Sequence, residues 1–127
     1  SVTVGKNLNT AETKSIETTI AITRLDTFIE QHQLKKIDLI KIDVETHEPE
    51  VLEGMGKYLQ QMRPTMLIEI LNNEVAQKVQ DLVEGIGYLY FDLDEKTAPK
   101  QVKQLHKSSF YNFLICTPSV AQALQLI

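Results

Sequence analysis

The chain has no tryptophan, one cysteine, five glycines and no basic excess: 13 Lys and Arg stand against 17 Asp and Glu in 127 residues, a net charge of -4. Each shortage narrows the function. A single thiol, Cys116, cannot close an internal disulfide, and its apolar neighbours Phe113, Leu114 and Ile115 mark it as a small buried hydrophobe. A negative balance without any clustered stripe of Lys or Arg argues against nucleic-acid binding. No apolar run reaches the ~20 residues that span a bilayer. No signal-peptide pattern opens the chain, so no membrane role is expected and the cytoplasm is the simplest location. The glycines at 5, 54, 56, 85 and 87 form neither a dinucleotide-type Gly-x-Gly-x-x-Gly nor a phosphate-cradling loop, and no Gly-x-Ser-x-Gly turn is present.

What remains is the composition of a globular protein, 43% hydrophobic and 24% charged, long enough for one domain with a real core. Residues 1–15 are polar and rich in Thr, Asn and Lys, with one short Val2-Thr3-Val4 alternation, and read as an irregular lead-in. Ile16, Thr18, Ile20 and Ile22 alternate with more polar neighbours, which predicts a half-buried strand. Leu25, Phe28 and Ile29 predict a short helix to about His32.

Ile37 to Val44 is almost continuously apolar, the pattern of a strand covered on both faces. Val51, Leu52, Met55, Tyr58, Leu59 and Met62 then recur on one helix face, with Pro49 tolerated at its start and Arg63-Pro64 as its stop. A second buried strand, Thr65 to Leu71, carries one charge, Glu69. Val75, Ala76, Val79, Leu82, Val83 and Ile86 mark another helix ended by Gly85 and Gly87. Tyr88 to Leu93 is a third strand, 94–107 a polar connection, Ser109 to Cys116 a fourth strand, and Val120 to Ile127 a terminal helix. Alternating strands and helices predict an α/β fold with parallel βαβ units, and the last two strands an antiparallel pair. The aromatics Tyr88, Tyr90, Phe91, Phe110, Tyr111 and Phe113 are read as core and hairpin packing.

Chemistry concentrates in Ile37 to Leu52, IDLIKIDVETHEPEVL. A buried strand ends in Asp43 and Glu45, and His47 and Glu48 follow at a helix start. An acid ending a buried strand needs a partner to offset its desolvation, so Asp43 is read as functional. Glu48 and Glu50 are assigned to the helix dipole, worth ~0.3–1 kcal/mol each. Glu45 and His47 stay open between surface and site roles. Lys41 either faces the crevice or pairs with Glu69. Glu69 and Asn72 end the next strand, so both strand ends face one crevice, where open α/β sheets bind ligands; a paired structural charge is the other reading for Glu69. Asp26 is a helix cap or a ligand contact. A metal at Asp43, Glu45 and His47 is a weaker reading, because no second ligand cluster follows, and no metal site is assigned.

The order of segments resembles the C-terminal half of the FkbM family of S-adenosylmethionine-dependent methyltransferases. It is carried by Thr23-Arg-Leu-Asp26, the run Ile37-Asp-Leu-Ile-Lys-Ile-Asp-Val-Glu45, Glu48, Val51-Leu-Glu-Gly54, Arg63-Pro64, the strand Met66 to Ile70 with Glu69, Gly87-Tyr88 and Asn112-Phe-Leu114. It covers about residues 16 to 118. The resemblance implies a partial Rossmann-like class I methyltransferase sheet, mostly parallel with an antiparallel C-terminal strand, the strands from Ile37 being the fourth to seventh. It implies O-methylation of a small molecule or sugar, with Asp43 near the methionine end of S-adenosylmethionine and Asp26 near the adenosine. Asp43, with Glu45 and His47 assisting, would act on the acceptor hydroxyl, and Glu69 and Asn72 would contact it.

Two departures stand out. The family usually continues Asp-Val-Glu with glycine, whereas Thr46 and His47 follow here. The glycine-rich cofactor turn is missing as well, so a partial domain with an incomplete cofactor site is expected. A non-catalytic interaction module that keeps the fold is the competing reading. Without a first strand beside it, Ile37 to Val44 would expose an apolar edge, and either Ile16 to Ile22 or a second copy of the chain is expected to cover it.

Overall fold

A computed structural model describes residues 2–6 and 14–127. Seven strands and five helices are found among them. Strands β1 (Val2–Lys6) and β2 (Ile16–Ile20) form an antiparallel two-stranded sheet of their own. This corrects the lead-in, since residues 2–6 are a strand; residues 1 and 7–13 of that segment lie outside the described residues. A ladder is made by backbone groups, so a polar sequence does not prevent it. The half-buried expectation for β2 also fails, because every residue of β2 is exposed and Ile16 is 69% exposed. Two strands alone supply no opposing layer to bury an apolar face.

The main sheet runs β3 (Leu39–Ile42), β4 (Thr65–Glu69), β7 (Asn112–Cys116), β5 (Leu89–Leu93), β6 (Lys100–Val102). β3 and β4 are parallel, while β7 is antiparallel to both β4 and β5, so β5 runs with β4. The expected antiparallel strand is therefore present, but it is inserted between β4 and β5. β6, which pairs antiparallel with β5, lies in the segment read as a mere connection.

One sheet face carries Ile40, Ile42, Met66, Ile68, Phe113, Ile115 and Tyr90, packed by α2 (Glu48–Gly54) and α4 (Asn73–Val83) through Leu52, Met55, Val75, Val79 and Val83. Each large side chain so buried contributes ~1.5–3 kcal/mol. The other face carries Leu67, Leu114, Phe91 and Cys116 beneath Val120 and Ala121 of α5 (Pro118–Ala123). No residue of β3 belongs to that second cluster, and Leu39 is 59% exposed. The expectation of a strand covered on both faces is thus corrected: β3 is an edge strand buried on one face. Nor does Ile16 to Ile22 cover its edge, since among the described residues β2 pairs with β1 alone.

Helix α1 (Leu25–Gln31) matches its pattern. The long helix predicted over Val51 to Met62 is instead two helices, α2 and α3 (Tyr58–Met62). The break falls at Gly56, whose φ is 54°. A Cβ there would lie 3.2 Å from Asp26 Oδ2, so glycine serves both the left-handed turn and the close approach of α1. Arg63, at φ 43°, ends α3 before Pro64. Helix α4 is capped by Asn72, whose Oδ1 accepts from Val75 N at 2.8 Å. Buried Gln80 on α4 donates to Tyr90 Oη at 3.2 Å and accepts from Leu105 N at 2.9 Å, tying the 94–107 connection to the core. Phe110 and Tyr111 depart from the core reading of the aromatics: both are exposed, and Tyr111 takes φ 61°.

Candidate functional site

The register explains how the site is assembled. Ile42 faces Ile68, so the next pair along the parallel ladder is Asp43 beside Glu69. Glu69 in turn faces Asn112, and Asn112 faces Leu93. Asp43, Glu69, Asn112 and Leu93 thus form one row across β3, β4, β7 and β5. The row behind it is Lys41, Leu67, Leu114 and Phe91. A crevice of about 400 Å³ opens over these rows, lined by Lys41, Asp43, Leu67, Glu69, Leu93 and Asn112, with Asp94, Glu95 and Phe110 at its rim. It lies at the carboxyl ends of the parallel strands β3, β4 and β5, the place where open sheets take ligands.

The crevice is acidic. Burial, then the charge of neighbouring Asp43, pushes the Glu69 carboxyl above the usual carboxylate range, with smaller contributions from Glu48 and Glu45. Lys41 lies in the same crevice but makes no ion pair among the described residues, so the alternative in which it pairs with Glu69 is not realised.

Glu48 stands in the first turn of α2, as expected of an acid at a helix N-terminus, and it is also buried. It is 0% exposed, its Oε1 accepts from Val44 N at 3.2 Å, and its Oε2 is buried without a partner. Besides its place at the helix N-terminus, Glu48 thus holds the β3–α2 turn from a buried position. The missed signal was spacing: Glu48 precedes Leu52 by four residues and Met55 by seven, which places it on the buried face of α2. The crevice residues Asp94, Glu95 and Phe110 carried no local signal, and Asn112 entered only through the motif Asn112-Phe-Leu114.

The remaining expected site residues are placed apart. Glu45 is exposed in the β3–α2 turn at φ 47°, followed by Thr46 at φ 79°; its charge reaches Glu69, but it does not line the crevice. These two non-glycine residues adopt the left-handed conformation that glycine takes at lower cost. His47 has an exposed side chain, 3.8 Å from Glu50, and lines a different cavity of about 600 Å³ with Thr23, Arg24, Leu25, Phe28 and Val44. The two cavities flank the end of β3, with Asp43 lining one and Val44 the other. Asp26 lines neither; it accepts from Arg24 Nε at 3.3 Å and from Thr27 N at 2.7 Å, and the Arg24 bond holds its carboxyl below the usual range. Asn72 is engaged as the α4 cap. Among the described residues no three or more His, Cys, Asp or Glu side chains are arranged to hold a metal ion, and no helix is long and apolar enough to cross a membrane.

An acidic crevice at parallel strand ends, entered by the Asp-Val-Glu turn, is joined by a direct finding: the model of the methyltransferase FkbM domain matches residues 3–108. The chain belongs to the FkbM methyltransferase family. The match takes in β1 through β6 with Asp26, Asp43, Glu45, His47, Glu48, Glu69 and Asn72, and ends before β7 and Asn112. No curated protein and no solved structure matches the chain. This FkbM domain is of α/β class, with a mixed five-stranded sheet and five helices among the described residues.

Proposed function

We propose that this FkbM chain is the acceptor-side part of a Rossmann-like, S-adenosylmethionine-dependent methyltransferase that methylates a hydroxyl of a small molecule or sugar. The observation that carries the reading is the row Asp43, Glu69 and Asn112 at the crevice of a chain that belongs to this family. The antiparallel β7 within a sheet whose β3, β4 and β5 run one way accords with the sheet implied by the resemblance.

The residues present fit part of the cofactor. Its methionine end is cationic, and the crevice is rich in carboxylates, with Asp43 and Glu69 crowded together and Asp94 and Glu95 at the rim. Asp43 and Glu69 are the residues that would hold it there. The larger cavity beyond Val44, lined by Leu25, Phe28, Val44 and Val51, has the apolar and aromatic character that suits a nucleoside. When bound, the cofactor supplies an electrophilic methyl group. For their part, Asp43 accepts a hydrogen bond from the acceptor hydroxyl and receives its proton, and Asn112 offers an amide to a neighbouring oxygen. Glu69, whose carboxyl is held above the usual carboxylate range by burial and by the Asp43 charge, stands beside Asp43 in the crevice. Methyl transfer depends chiefly on positioning, so these few groups suffice.

Calorimetry with S-adenosylmethionine and mass-spectrometric detection of methyl transfer, on this chain and on the full-length gene product, test the reading. Binding and transfer by the full-length product, with transfer falling by roughly 100-fold or more in Asp43→Asn, support it. No binding by either would leave the non-catalytic interaction module.

A further inference from the structure

The loop between β6 and β7 presents an aromatic ring to the crevice. Phe110 lines the cavity together with Leu93 and Asn112, and it is 39% exposed. Leu93 and Asn112 face each other in the β5–β7 ladder, so this is the side of the crevice made by β5 and β7. β4 lies between β7 and β3, and the ring therefore owes its place to strands that this chain itself supplies.

A tied turn holds the ring there. Buried Ser108 accepts through Oγ from Phe110 N at 3.3 Å and from Tyr111 N at 3.0 Å. One N–H of the Asn112 amide donates to Phe110 O at 3.0 Å, and Ile70 N donates to Tyr111 O at 2.6 Å, which joins the turn to the end of β4. Tyr111 takes φ 61° here, a conformation that is costly for a bulky side chain. The two exposed aromatics differ. Lys107 Nζ lies 5.9 Å from the centre of the Tyr111 ring, whereas Phe110 meets no aromatic or cationic partner among the described residues.

We propose that Phe110 determines acceptor specificity: its ring is the wall on which the apolar face of a pyranose packs, while Asp43 and Asn112 take hydroxyls at the sugar's edge. The inference rests on the methyl-transfer reading and adds to it the residue and the ring shape that select the acceptor. The crevice has a polar side in Asp43, Glu69 and Asn112 and an apolar side in Leu93 and Phe110. A pyranose is divided in the same way, with hydroxyls around its edge and C–H groups across its faces. A flat aromatic side chain buries such a face with few rotatable bonds to order. A linear polyol offers no flat face, and a purely apolar ring would leave Asp43 and Asn112 unpaired. Asp43 and Glu69 lie within the residues matched by the family model and Phe110 beyond its end, in keeping with a part in choosing the acceptor.

Saturation-transfer NMR on the full-length gene product tests this, with the methyl glycosides of glucose, galactose, mannose and rhamnose as probes and sorbitol as the linear control. At least one pyranoside is expected to bind, with saturation strongest on the C–H protons of one face, and sorbitol is expected not to bind. Phe110→Ala should weaken that binding about tenfold, and Phe110→Tyr should hold it within about threefold. Affinity for S-adenosylmethionine should stay within about twofold in both variants. In transfer assays KM for the pyranoside should rise in Phe110→Ala with kcat little changed. Circular dichroism checks that each variant is folded. Pyranoside affinity unchanged in Phe110→Ala, an equal loss in Phe110→Tyr, a parallel loss of cofactor affinity, or binding of no pyranoside would each overturn the proposal. Pyranoside binding that requires Phe110, without any methyl transfer, would count for the ring contact and against the methyl-transfer reading.

Discussion

Glu69 stands beside Asp43 at the ends of the adjacent parallel strands β4 and β3, and the charge of Asp43 is the largest influence on the Glu69 carboxyl after burial. Because the Glu69 value is raised in the fold, the stability it contributes is fully present below the unfolded value of ~4.3 and is lost as pH rises through the folded value. Asp43→Asn removes the neighbouring charge. The Glu69 midpoint, followed by carboxyl NMR, should move down toward the ordinary range, and the loss of stability above about pH 4 should shrink. An unmoved midpoint would show that the two carboxyls do not couple.

Glu48 holds the β3–α2 turn through Val44 N. Glu48→Ala leaves that amide without its acceptor and opens a cavity at a fully buried position, so a loss of about 1–3 kcal/mol is expected in urea denaturation. Glu48→Gln keeps an acceptor oxygen for Val44 and removes a buried charge, and should cost less than about 1 kcal/mol. Equal losses in the two variants would contradict the hydrogen-bonding role.

Gln80 bridges α4, Tyr90 and the backbone of Leu105. Gln80→Leu fills a similar volume but leaves Leu105 N without its acceptor. We expect a loss of about 1–3 kcal/mol, with faster hydrogen exchange at Leu105. Exchange at Leu105 as slow as in the wild type would mean that the connection is anchored elsewhere.

Gly56 and Gly85 separate two costs of adding a Cβ. Both have positive φ, 54° and 78°, but only Gly56 is crowded, by Asp26; nothing lies within 4 Å at Gly85. Gly85→Ala should therefore cost about 1–2 kcal/mol from backbone strain alone, and Gly56→Ala more. In an Asp26→Ala background the excess at Gly56 should disappear in thermal unfolding.

Local patterns carried the helices and the stops between them. The spacing of Val75, Val79 and Val83 found α4, Gly85 marked its end, and Leu25, Phe28 and Ile29 found α1. The strand-end acids Asp43 and Glu69 were legible as a shared crevice, because βαβ order brings the ends of parallel strands to one side. What eluded the reading was non-local. The burial of β2 depended on an opposing layer that a lone pair of strands does not have. The close approach of Asp26 to Gly56, thirty residues later at the break between α2 and α3, was likewise set by packing.

By itself the sequence determined the alternation of strands and helices, their stop signals and the kinship with FkbM methyltransferases, because these rest on residue types at short, fixed spacings. Only the tertiary structure decided that β7 enters between β4 and β5, that Asn112 completes the row begun by Asp43 and Glu69, that His47 opens onto a different cavity, and that β3 is left as an edge. Strand order and register are settled by which faces bury most area against one another, and that is a property of the whole packed chain.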